Sequence, residues 1–214
     1  MKTKLPLCLF ALLILVGCQS PYYAMMEKIG VHKREILRDR VKEGKESQEE
    51  AKKQFQNALE RFVELTNFDG GDLQKIYDKL NKELERCESK ADEIDDRIDS
   101  IEDVSKALFH EWEKELNKFT NREYQRISAE KLDQTKARYK AMIKVMKRAR
   151  ESMDPVLVTF RDQVLFLKHN LNAQAIASLD TQVGILKSDI RILIHEMEAS
   201  IDEAEAFIKT MDKN

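Results

Sequence analysis

The sequence predicts an all-α protein, an elongated antiparallel bundle or coiled coil of four long helices running up-down-up-down, and three observations carry that expectation. The 214 residues include only 6 glycines and 3 prolines, too few for the turns of a many-stranded sandwich or the phosphate loops of a doubly wound sheet. Charged residues make up 36% of the chain, yet 42% is hydrophobic, a mixture that suits long solvated helices and excludes a disordered chain. From Tyr77 onward, apolar or small residues recur at Leu80, Leu84, Cys87, Ala91, Ile94, Ile98, Ile101, Ser105, Leu108 and Trp112. Their steps alternate between three and four without a break, the seam of a coiled coil.

The N-terminus is a segment apart. Met1-Lys2-Thr3-Lys4 precedes an apolar run from Leu5 to Val16, which fits a secretory leader and falls short of the ~20 residues that span a bilayer. The residues Leu15-Val16-Gly17-Cys18 resemble the lipobox of bacterial lipoproteins. That resemblance implies cleavage between Gly17 and Cys18, a lipid on the Cys18 sulfur and acylation of its new amino group. Gln19 in place of aspartate implies the outer membrane, with the chain lipid-anchored and facing the periplasm. Several acyl chains on one residue hold a protein stably, where a single chain is marginal. The plainer alternative is an ordinary leader followed by a chance cysteine. Loss of residues 1–17 removes Lys2 and Lys4 and leaves a net charge of −4, which speaks against a nucleic-acid partner. With Cys18 lipidated, Cys87 has no cysteine left to pair with inside the chain. Its place on the seam fits a small buried hydrophobe better than an intermolecular disulfide or a redox sensor.

Helix ends are marked by residue chemistry. Ser20-Pro21 reads as an N-cap before a proline suited to the first turn. In Asn67-Phe68-Asp69-Gly70-Gly71-Asp72 the glycines end one helix and Asp72 caps the next. Thr120-Asn121-Arg122-Glu123 reads as a capping box, and His169-Asn170-Leu171-Asn172 as a further break. Pro155 competes with that last break, by starting a helix or kinking one. Charge arbitrates: the basic stretch Lys136–Arg150 mirrors the acidic stretch Asp92–Asp103 about residue 120. The same acidic stretch mirrors the basic Lys28–Lys45 about residue 67, and Glu196–Glu205 mirrors Lys136–Arg150 about residue 171. Four helices follow, at about 20–66, 73–119, 122–168 and 173–211, within one domain over 18–214. Three unequal helices broken at Pro155 form the alternative. Exposed pairs are worth only ~0–1 kcal/mol each, so these charges select neighbours more than they stabilise.

Candidate chemistry is sparse. His32, His110 and His195 each stand three residues before a glutamate, the reverse of the Glu-x-x-His order of carboxylate-bridged metal sites in helical bundles. His110 and His195 also fall off the apolar seams. Solvated histidines are therefore the expectation, with no metal and no cofactor. The basic stretch 136–150 could bind a polyanion, but its two acidic mirror blocks make internal pairing the better account. No Ser/His/Asp or Cys/His arrangement stands out, and an enzyme is not expected. The segment 155–195 is the least charged part of the chain, and Val156, Leu157, Val158, Phe160, Val164, Leu165, Phe166 and Leu167 exceed what one seam requires. Either the core thickens there, or Val156, Phe160, Val164, Leu165, Phe166 and Leu167 offer a surface for a partner helix or a second copy.

Three runs add a resemblance: Phe68-Asp69-Gly70-Gly71-Asp72-Leu73, Ala107-Leu108-Phe109 with Glu111-Trp112-Glu113, and Arg161 through Ala173. They are similar to an uncharacterised bacterial lipoprotein family catalogued as domain of unknown function 2959. The resemblance implies a Gram-negative envelope lipoprotein and supplies no activity or catalytic residue. The expectation is a lipid-anchored structural or adaptor protein that meets the membrane through Cys18, and a second copy or an envelope protein through 155–195. The alternative is a bundle that binds a small ligand or a metal as a sensor or carrier.

Overall fold

The computed structural model describes residues 23, 26, 32–66, 72–170 and 173–212. The expected cleavage site at Gly17 and Cys18, the Ser20-Pro21 cap, residues 67–71 and residues 171–172 lie outside them. Within the described residues the chain forms α1 (Lys33–Thr66), α2 (Leu73–Leu116), α3 (Arg122–Glu151), α4 (Met153–His169) and α5 (Ala173–Asp212), and no strand. Tyr23 and Met26, ahead of α1, are helical and pack on the core. The all-α bundle expected from composition and periodicity is what forms.

Local chemistry sets the ends. The Asp72 carboxylate accepts from the backbone N–H of Gln74 at 3.1 Å and of Lys75 at 3.4 Å, which satisfies donors that a helix start leaves open. At the start of α3 the cap is Asn121, not Thr120 as the capping box suggests. Its Oδ1 accepts from Glu123 N at 2.9 Å and Tyr124 N at 3.2 Å. Between α3 and α4 the chain does not turn back. Ser152 keeps right-handed helical angles (φ −70°, ψ −11°), and its N–H donates to the Arg148 carbonyl at 3.0 Å. Pro155, the third residue of α4, has no N–H to return to Glu151, and its ring crowds that carbonyl. The helical ladder is therefore interrupted while its direction persists, and α3 with α4 act as one kinked rod.

Four rods result, in the order α1, α2, α3–α4, α5 around a square. Ion pairs give the register. Lys90 with Glu50 and Arg97 with Glu43 are centred on residue 70. Lys147 with Glu102 and Arg161 with Glu88 are centred near 124, and Arg148 with Glu196 on 172. Lys45 with Glu205 and Lys52 with Glu198 close the square between α1 and α5. Every adjacent pair is thus antiparallel. One expectation is reversed at the acidic block: there Lys90 and Arg97 of α2 supply the bases and Glu50 and Glu43 of α1 the acids, while Lys33 of α1 pairs with Glu111 of α2 in the expected sense. Arg38, Lys45 and Lys52 of α1 are turned toward Asp212, Glu205 and Glu198 of α5 instead.

The core runs the length of the bundle. The α2 seam is buried from Ile76 to Leu108, while Trp112 is half-buried and donates its indole N–H to Ser128 Oγ at 2.8 Å. Phe62 of α1 meets Phe160 of α4 edge to face with ring centroids 5.9 Å apart. At Gly44 α1 packs close against α2 and α3: a Cβ there would lie 3.0 Å from both Ile101 Cδ1 and Met146 Cε. One polar pair crosses the core, with Ser200 Oγ donating to Gln48 Oε1 at 2.7 Å. Among the described residues no helix is long and apolar enough to cross a membrane.

Candidate interaction surface

The buried stripe of α3, Met142, Met146 and Ala149, continues across Ser152 at steps of three and four onto one face of α4. Met153, Val156, Leu157, Phe160, Gln163, Val164 and Leu167 are buried there. Of the six residues expected to form a partner surface, Val156, Phe160, Val164 and Leu167 therefore belong to the core, at 0–3% exposure. Leu165 and Phe166 do face outward, at 51% and 43%. The core thickens over 155–195, and an apolar exterior remains beside it.

That exterior includes residues outside the expected set. Val158 on α4 and Ile185 and Ile192 on α5 are 52%, 51% and 58% exposed. Val158 and Leu165 stand seven apart on α4, and Ile185 and Ile192 stand seven apart on α5. Each helix thus carries a second heptad stripe outside the one that packs inward. The signal for Ile185 and Ile192 was present in the sequence as apolar positions flanking Leu186 and Leu193, which hold the core.

Along the other seams, Lys and Arg side chains bridge to a neighbouring helix. Beside the stripe, Arg161 does so, donating to Glu88 of α2 at 3.0 Å. On the α2 flank Arg150 binds Asp95 and Asp154. Asp162, Lys168, Lys187, Asp189 and Arg191 make no ion pair or hydrogen bond with another described residue.

The remaining candidates are placed as follows. His32, His110 and His195 are exposed, and among the described residues no group of three or more His, Cys, Asp or Glu could hold a metal ion. Cys87 is fully buried, with Gln54 Nε2 at 4.0 Å from its sulfur. Burial pushes its thiol up to about 12, so the thiolate needed for reaction is suppressed. A second exposed apolar group, Phe119, Tyr124 and Ile127, sits at the α2–α3 turn at the opposite end of the bundle. Sequence reasoning passed over it because those residues lie among Lys118, Arg122, Glu123 and Arg126.

No curated protein and no solved structure shows detectable similarity to this chain. A family model matches residues 22–211, nearly the whole of the described fold. The chain belongs to the family described as protein of unknown function DUF2959.

Proposed function

We propose that this chain is a lipid-anchored lipoprotein of the Gram-negative envelope with a structural or adaptor role, held at the outer membrane through Cys18. The single observation that carries the adaptor half is the placement of the exposed stripe. Counting at 1.5 Å per residue, Ile185 and Ile192 lie level with positions roughly 40–50 Å along α1 from Lys33, given the α1–α5 register. A chain tethered ahead of α1 thus carries its apolar face away from the tether. The leader and the Leu15–Cys18 run support the anchor half, and a stiff four-rod bundle suits a spacer or scaffold.

The test is fractionation of cells producing the wild type or Cys18→Ser. The wild type is expected with outer-membrane vesicles, and Cys18→Ser in the soluble periplasmic fraction. A photoreactive side chain at position 158 or 185 should then form adducts that one at the far side, position 61, does not. Wild type in the soluble fraction, or Cys18→Ser still held by membranes, would overturn the anchor. Equal adducts at 61 and 185 would overturn the adaptor face.

A further inference from the structure

We propose that the α2–α3 turn is a membrane-docking tip: Phe119, Tyr124 and Ile127 enter the headgroup layer of the bilayer that holds Cys18, and the bases around them meet lipid phosphates, a docking that rests on the anchor proposed above. Phe119 lies in the turn after α2. Tyr124 and Ile127, three residues apart, share one face at the start of α3. All three are exposed, Tyr124 most at 63%. Their place in the bundle selects the occupant. Arg34 at the start of α1 donates to the Met211 carbonyl at the end of α5 at 2.7 Å, and Lys33 pairs with Glu111 of α2 at 3.0 Å. α1 and α5 thus end near the level of Glu111, while α2 continues to Leu116 and turns beyond them. At 1.5 Å per residue the turn lies roughly 10 Å past Lys33.

Chain length brings the bilayer to the same level. Tyr23 is buried, with its ring centroid 6.0 Å from Lys33 Nζ. Cys18 stands five residues before it, a span of at most ~18 Å when fully extended. A bilayer that holds Cys18 is therefore kept within about 10 Å of the turn. A helix seated on this end would need an apolar stripe continued over several turns, as α4 and α5 carry, and the tip offers a single turn. Aromatic side chains with bases beside them suit a membrane–water interface instead. From Lys114 to Lys131 there are five bases (Lys114, Lys118, Arg122, Arg126, Lys131) and three acids (Glu115, Glu123, Glu130). Lys118 holds Glu115, and Arg126 holds both Glu123 and Glu130. Lys114, Arg122 and Lys131 have no acid partner among the described residues and remain for lipid phosphate. Of the acids next along, Glu113 is held by Lys136, and Asp133 lies ~9 Å behind Ile127 on α3. A short tether and a docked tip at one end stand the rod upright, with the apolar α4–α5 face at the far end.

The experiment tethers the mature chain without relying on lipidation. A histidine tag takes the place of Cys18 and binds a nickel-chelating lipid in vesicles of phosphatidylcholine and phosphatidylglycerol. A bimane fluorophore is attached at Asn117→Cys, or at Leu165→Cys as the distal control, while the buried Cys87 stays unlabelled. Brominated lipid should quench the label at position 117 severalfold more than the label at 165. Phe119→Ser with Tyr124→Ser should remove most of that difference, and leaving out phosphatidylglycerol should reduce it. Circular dichroism of each variant checks that helicity is kept. Quenching at 117 no greater than at 165, or quenching that the two serine substitutions leave unchanged, would overturn the proposal. So would a dimer of the untethered chain that the same substitutions dissolve, since the tip would then belong to a second copy. Because the tag supplies the tether, the docking stands or falls here whatever becomes of the anchor, which Cys18→Ser in cells tests separately.

Discussion

Phe160 and Phe166 are the same residue type six positions apart on α4, and the bundle predicts opposite consequences of truncating them. Phe160 is 1% exposed and meets Phe62 edge to face. Phe160→Ala loses its transfer energy, leaves a cavity in a core that relaxes only partly, and removes the aromatic contact, for a cost of ~3–5 kcal/mol. Phe166 is 43% exposed, so Phe166→Ala surrenders about half of a ~2 kcal/mol burial and leaves no enclosed void. The better helix propensity of alanine returns about 0.5 kcal/mol, for a net cost under ~1 kcal/mol. The difference of about 3 kcal/mol is roughly a hundredfold in the ratio of folded to unfolded chain. Urea unfolding followed by circular dichroism at 222 nm, with the slope held common, measures it. Equal losses for the two variants would refute the division of α4 into a core face and an exterior face, and with it the candidate surface.

Other consequences can be read from the same contacts. Gly44→Ala should change stability by less than about 1 kcal/mol, because the propensity gain offsets the push on Ile101 and Met146, whose contacting atoms are flexible ends. Gly44→Leu should cost ~1–3 kcal/mol or more by overpacking; thermal melts of both decide it. Gln48→Leu strips Ser200 Oγ of its acceptor and should cost ~1–3 kcal/mol, whereas Gln48→Leu with Ser200→Ala should return close to wild type, since Gln48 Nε2 is itself buried without a partner. Glu93 is held below its ordinary value of 4.5, first by the Lys90 ammonium and then by the Ser47 hydroxyl. Its stabilisation is present above about pH 4.5 and fades as pH falls through the lowered folded value. An acid titration of helicity should therefore be shallower in Glu93→Gln than in the wild type.

Much of the fold was legible because helices announce themselves through spacing and caps. The α2 seam was found residue by residue, since a two-sided amphipathic helix separates its apolar positions cleanly. Asp72 was found as a cap, and the charge blocks placed the α4–α5 turn within a residue of the centre that Arg148 and Glu196 define. Elsewhere the pattern saturates. Asn121 caps α3 in place of Thr120 because both side chains offer an acceptor oxygen, one residue apart, and only backbone geometry chooses. Part of the α1 basic block was assigned to the wrong neighbour, since a block of charge says nothing about which flank of its helix carries it: Lys33 reaches Glu111 of α2, but Lys45 and Lys52 point to α5 while Glu43 and Glu50 point to α2. Between Val156 and Leu167 apolar residues fill two stripes at once, so periodicity could not separate the buried Phe160 from the exposed Leu165. The stripe that turns inward is the one that continues the α3 seam through Met146, Ala149 and Met153 to Phe160.

The proposed anchor is tested most directly by mass spectrometry of the N-terminal peptide of the protein purified from its own membranes. The account predicts a chain that begins at Cys18, with a diacylglyceryl group on the sulfur and an acyl chain on the amino group. A peptide that runs unmodified through Val16, Gly17, Cys18 and Gln19, or a chain that begins beyond Cys18, would contradict it.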